Sequence, residues 1–138
     1  MTWLLFACLS AVAAAATAIL AKVGVQGVPS TLATAIRTVV VLTVAWAMVF
    51  AFGEQRALAS VSRRSLIFLT LSGIATGASW LAYFRALQLG PASRVAPIDK
   101  LSLPLTIVLA AATLGEPVSW RLAAGVALMT AGALLTIG

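Results

Sequence analysis

Histidine is missing from this chain altogether, and acidic side chains are nearly so, with three Asp and Glu against nine Lys and Arg. Without imidazole there is no histidine general base and none of the common His-containing metal sites. The single cysteine, Cys8, has no internal disulfide partner, and its apolar, alanine-rich setting suits a small packed residue better than a reactive thiol. Charge of either sign is scarce at 9% of 138 residues, where a soluble domain carries about 25%. A water-facing globule cannot be coated from that supply, and no separate soluble domain fits. There is also no phosphate loop and no nucleophile beside a base, so an enzyme is not expected and nothing calls for a cofactor.

What the chain has in abundance is apolar surface, 62% of its residues. The bilayer is the natural solvent for that composition. The formal net charge of +6 is spread singly among apolar runs instead of lining one face, which argues against nucleic acid and suits a membrane rim, where Lys and Arg reach lipid phosphates. A crossing takes about 20 residues, and five spans are predicted, over 3–21, 32–52, 65–87, 93–114 and 120–137. The expected fold is an all-α membrane protein, a five-transmembrane-helix bundle forming one domain over 1–138. The first helix is expected to be retained: Met1 and Thr2 supply no basic n-region, and Trp3 to Ala21 exceeds a usual signal h-region.

Breaks between the spans are marked by turn residues. Gly24, Gly27, Pro29 and Ser30 form the first, and Gly53, Glu54 and Arg56 lead into the basic connection ending at Arg63 and Arg64. Gly90 and Pro91 end the third helix. Gly115, Glu116 and Pro117 make the last structural junction, with Pro117 expected in the first turn of the fifth helix and Glu116 beside its positive end.

Polar residues inside apolar spans are the candidate functional residues, because they are costly there. Arg37 lies one to two turns into the second span, and two readings stay open: it snorkels to the rim, or it faces a polar cavity. Trp80, Tyr83, Arg85 and Gln88 cluster near the end of the third span, as an interfacial belt or as a cavity lining. Pro97, Asp99, Lys100 and Pro104 interrupt the fourth, so this helix is expected to be bent or partly discontinuous, with Asp99 and Lys100 near a site or at a shallow interface. Adjacent helical side chains diverge, so these two charges need not pair, and Arg94, Arg85, Arg37 or a cationic solute are alternative partners for Asp99. Gly73 and Gly77 are four residues apart on one face of the third helix, which suits close packing. In a five-span arrangement, Arg56, Arg63, Arg64 and Arg121 share the N-terminal side, against Lys22, Arg85 and Arg94 opposite. That small bias favours a cytoplasmic N-terminus, with dual insertion still open.

The run Trp80, Tyr83, Arg85, Ala86, Leu87, Leu89, Gly90, Pro91, Ala92, Ser93, Arg94, Val95, Ala96, Pro97, Ile98, Asp99 and Lys100, followed by Leu114, Gly115, Glu116, Pro117 and Gly125, resembles a single EamA-type unit of the drug/metabolite transporter superfamily. The order of features carries the likeness: a small-residue helix, a Gly-Pro turn, a proline-containing fourth span and a Gly-Glu-Pro junction. The resemblance implies secondary transport of small metabolites, often export, without an ATPase domain, in a multi-pass cell membrane protein, cytoplasmic membrane if bacterial. Larger members hold two five-helix units in opposite orientation, and this chain looks like one. A homodimer is therefore expected, with an antiparallel pair as one option and a parallel pair or a different five-span partner as others, so that two copies complete an alternating-access pathway.

The resemblance assigns no substrate role to a particular residue. The residues themselves make Arg37, Trp80, Tyr83, Arg85, Asp99 and Lys100 the candidates for recognition or coupling, and Gly73, Gly77, Gly90, Pro97 and Pro104 the candidate pivots. Asp99 is the acid expected within a span, hence the candidate protonation site, while a proton or an exchanged metabolite both stand as driving forces. The competing class is a noncatalytic membrane assembly or chaperone subunit.

Overall fold

In the computed structural model, which describes residues 2–137, every regular element among the described residues is a helix. They are α1 (Thr2–Gly24), α2 (Ser30–Ala51), a 3-10 helix (Glu54–Ser60), α3 (Arg63–Leu89), α4 (Ala92–Asp99), α5 (Ser102–Leu114) and α6 (Trp120–Leu135). Among the described residues, four stretches are long and apolar enough to cross a membrane: α1, α2, α3 and the segment Ala92–Leu114. The protein is an all-α, multi-pass membrane protein. The remaining apolar helix, α6, has 16 residues and spans about 24 Å at 1.5 Å per residue, short of the roughly 30 Å hydrocarbon layer.

Helix ends follow local chemistry. Gly53 takes a left-handed conformation, φ 72°, and stops α2. Ser62 caps α3, its Oγ accepting from the Ser65 amide at 3.0 Å. Gly115, φ 67°, is the C-cap of α5, and the Glu116 amide closes back on the Ala110 carbonyl at 3.4 Å. The start of α6 differs from expectation: Pro117 lies ahead of the helix, and Ser119 caps it by accepting from the Leu122 amide at 3.2 Å. A serine hydroxyl satisfies an orphan amide, which neither Pro117 nor the neighbouring Glu116 does here. Because a Cβ at Gly115 would meet nothing within 4 Å, Gly115→Ala isolates the cost of its left-handed backbone. It is expected to destabilise the fold by about 1–2 kcal/mol, read as a lowered unfolding midpoint.

The fourth apolar segment is discontinuous, as its prolines predict, but the break falls between them. Helix α4 ends at Asp99; Lys100 and Leu101 form a tight turn, with the Lys100 amide on the Pro97 carbonyl at 3.1 Å and the Leu101 amide on Ile98 at 3.0 Å. Pro97 sits inside α4, whereas Pro104 falls in the first turn of α5, where its missing amide donor costs little.

Contacts divide the chain into two compact units. Leu20–Leu89 forms one, from the last residues of α1, α2, the 3-10 helix and α3. Helices α2 and α3 pack as a hairpin, and the buried apolar side chains Val25, Phe84 and Leu87 gather at the end where α2 starts and α3 finishes. The other unit comprises the described residues on either side, in which α6 packs against α4 and α5 and Ala133 is buried. Along α2 and the first part of α3, Val39, Leu42, Phe68 and Leu69 are exposed, as expected of residues solvated by lipid.

Candidate functional site

The sharpest polar feature within an apolar span is Arg37. Seven residues after the start of α2, it is half-buried, with its guanidinium carbon 4.2 Å from the centre of the Trp80 ring and 5.5 Å from that of Phe84. Trp80 and Phe84 are one turn apart on α3, so their ring faces form a continuous wall for the cation. Such contacts are worth about 0.5–1 kcal/mol when exposed and about 2 when desolvated. Its neighbour on α2, Thr34, is buried and satisfied internally, its hydroxyl donating to the Ser30 carbonyl at 2.8 Å. Within this unit, Arg37 is thus held by an aromatic wall.

One turn beyond, the end of α3 is tied to the turn that precedes α2. Gln88 donates its amide to the Val25 carbonyl at 3.2 Å and to the Val28 carbonyl at 2.5 Å, while its Oε1 accepts from Arg85 at 3.1 Å. Lys22 Nζ donates to the Leu87 carbonyl at 2.5 Å. The two Gln88 bonds follow from the reversal of the chain at Gly27, φ 73°, which leaves the Val28 carbonyl ahead of α2 and gives the Val25 carbonyl the Val28 amide at a long 3.4 Å, so both draw on a side-chain donor. The clamp fixes the register of α3 against α2 and thereby the position of Trp80 under Arg37.

The candidate residues therefore fall into separate groups. Arg37 meets Trp80; Tyr83 packs edge-on to Phe84 at 6.5 Å; Arg85 bonds Gln88. Asp99 and Lys100 belong to the other unit, where they pair with each other at 3.5 Å at the α4–α5 break, both partly exposed. Among the described residues of that unit, Arg94, considered as an alternative partner, forms no ion pair with Asp99. An adjacent, solvent-exposed pair of this kind contributes about 0–1 kcal/mol. Gly73 and Gly77 lie on α3, and a Cβ at either would touch nothing within 4 Å. Gly90 is in the bend between α3 and α4.

Phe84, Lys22 and the clamping role of Gln88 escape sequence reasoning. The signal that points to Gln88 is the Gly27 turn itself, whose carbonyls require a long donor. In the unit holding α5 and α6, a groove of about 880 Å³ lies between these helices, lined by Ile107, Ala111, Val126 and Ala127 among others. Its one hydroxyl, that of Thr130, is spent on the Val126 carbonyl. The polar candidate side chains accordingly lie in the α2–α3 hairpin and at the α4–α5 break, away from this groove within each unit. Among the described residues, no group of three or more His, Cys, Asp or Glu is placed to hold a metal ion.

The model of the EamA-like transporter family matches residues 1–138, the whole chain. The chain belongs to the EamA-like transporter family. A protein from Sinorhizobium sp, described as "Uncharacterized transporter in cobO 3'region", is 52% identical over 134 residues, covering 97% of this chain and 95% of the relative. No solved structure matches. Membership in EamA makes this a cell membrane protein of a transporter class, not an enzyme class, whose general function is secondary transport of small molecules.

Proposed function

We propose that this EamA protein moves a small metabolite by secondary transport, export being the direction its family likeness favours, through an alternating-access pathway completed by a second copy of the chain. The observation that carries the reading is Arg37, a cation kept within an apolar span against the Trp80 and Phe84 rings. A costly charge held in this way is ready to exchange its aromatic contact for a solute. Trp80, Tyr83 and Arg85 extend the recognition surface, with Asp99 and Lys100 acting in coupling at the helix break, where polar backbone is tolerable beside a cavity. Gly73, Gly77, Gly90, Pro97 and Pro104 are the pivots in this scheme.

Five crossings are proposed for the single domain, with α6 as the short fifth, its length made up by local thinning of the bilayer and by Trp120 anchoring its start. An odd number of crossings puts the chain ends on opposite sides and lets two copies, antiparallel in the favoured arrangement, face each other as inverted repeats. The open glycine face of α3 supports a close helix partner outside the protomer. Labelling of tags at both ends from each side of the membrane is expected to find them opposed; both ends on one side would eliminate the odd crossing.

Transport itself is tested by reconstituting the purified chain into vesicles and screening metabolites for uptake and counterflow. Flux by the chain alone supports the reading, whereas stable capture of one membrane protein without flux would favour an assembly or chaperone subunit. In the same vesicles, Asp99→Asn and Lys100→Gln are each expected to slow flux about tenfold, equivalent to about 1.4 kcal/mol in the barrier. An unchanged rate and affinity in folded protein would remove both residues from the mechanism, and absence of coupled proton flux across a pH gradient would remove proton antiport.

A further inference from the structure

A pocket of about 310 Å³ opens where α1 and α3 end and α2 is about to begin, lined by Lys22, Gln26, Gly27, Arg85, Gln88 and Leu89 among others. It presents two cations and two carboxamides, and no acidic side chain lines it. The acid of this unit, Glu54, follows the far end of α2, about 33 Å along the helix. At about 30 Å³ per water molecule the space exceeds what one tetrahedral oxyanion needs.

Structural duty accounts for only part of this set. Lys22 stands at the C-terminal end of α1 and donates to Leu87 near the C-terminal end of α3, which is favourable capping for a cation. Arg85 is different. It is exposed, and its one hydrogen bond among the described residues is to Gln88 Oε1. That bond orients the guanidinium while using one of its five donors, leaving a planar fork of the kind that binds phosphate oxygens in pairs. Gln88 is itself locked to the turn carbonyls, so the fork is held by a fixed support. The pocket also sits at the ends of two candidate spans, the level at which lipid phosphates lie, and basic pockets between membrane helices bind anionic headgroups there.

We propose that this pocket binds a phosphate group, presented either by an anionic lipid headgroup or by a small soluble phosphate. The inference goes beyond transport and does not depend on it, since its readout is binding without flux. The full chain in detergent is titrated with phosphatidylglycerol, followed by native mass spectrometry, and separately with inorganic phosphate, followed by its melting temperature, because a ligand of the folded state raises that temperature. Arg85→Gln is compared with Arg121→Gln, an exposed arginine on α6 outside the pocket.

A lipid site predicts phosphatidylglycerol adducts that weaken about tenfold in Arg85→Gln, persist in Arg121→Gln and are indifferent to inorganic phosphate. A soluble-phosphate site predicts a rise in melting temperature that Arg85→Gln abolishes and Arg121→Gln retains. Should Arg85→Gln fail to fold, Arg85→Lys keeps the charge but not the fork, and weakened binding in that variant is the supporting result. Binding of neither probe, or equal binding by wild type and the Arg85 variant, overturns the proposal.

Discussion

Gln88→Leu is expected to lower the stability of the α2–α3 hairpin by about 2–4 kcal/mol, from two lost hydrogen bonds to the turn, a third from exposed Arg85, and the desolvation penalty that falls chiefly on the Val28 carbonyl. The substitution keeps the volume of the side chain and removes only its amide. The Val25 carbonyl belongs to a residue 2% exposed, so water reaches it poorly, but it keeps the Val28 amide at 3.4 Å and its loss is partial. Val28, which receives the shorter bond, is half-buried and recovers part of its loss. Leu87, next to Gln88 and fully buried, then loses the restraint that fixes its helix end. The measurement is the unfolding midpoint in detergent or lipid, with Gln88→Glu as a companion that retains acceptors but not the amide donor. Both variants are expected to fall together, because the donor is what the turn requires; a midpoint unchanged in both would show that the turn carbonyls are satisfied without it.

Arg37 is expected to give the largest loss of activity. Arg37→Ala removes the one charge held within the α2 span and should reduce flux by a hundredfold or more, about 2.7 kcal/mol or above in the barrier. Arg37→Lys keeps the charge but loses the planar group that stacks on Trp80 and Phe84, so an intermediate loss of about tenfold is expected. Stability separates the two roles of this residue. A double-mutant cycle between Arg37→Ala and Trp80→Leu should return a coupling of about 0.5–2 kcal/mol, the worth of the cation over the ring. Zero coupling with full loss of flux would assign Arg37 to the solute alone, and full coupling with normal flux would make it structural.

Four of the long apolar stretches are legible in the sequence for a simple reason: apolar runs of crossing length separated by glycine and proline have few other uses. Gly53 and Gly115 mark helix ends because their left-handed conformations are open to glycine at no steric cost. The discontinuity of the fourth segment is legible from Pro97 and Pro104, but its location at Lys100 and Leu101 is not, since Pro104 falls where a helix start tolerates proline. The start of α6 illustrates the same competition: Pro117 is a reasonable first-turn residue, yet Ser119 supplies an oxygen acceptor and wins the cap.

The site is less legible than the spans. Arg37 stands out as a lone cation, but its partner Trp80 lies far along the chain, and a tryptophan near a span end reads first as an interface anchor. Gln88 is visible as a polar residue, whereas its task depends on carbonyls that appear only when the Gly27 turn is folded. Asp99 and Lys100 need not pair as sequence neighbours, yet they meet at 3.5 Å, because α4 stops at Asp99 and frees their side chains from helical directions.

Solute flux through the purified chain alone tests the central claim most directly. Vesicles holding only this protein, loaded and challenged with a mixture of small metabolites, are predicted to accumulate at least one of them in a saturable way that Arg37→Ala abolishes. Correctly folded protein that moves no metabolite above the level of empty vesicles, or flux that is untouched by loss of Arg37, would contradict the account.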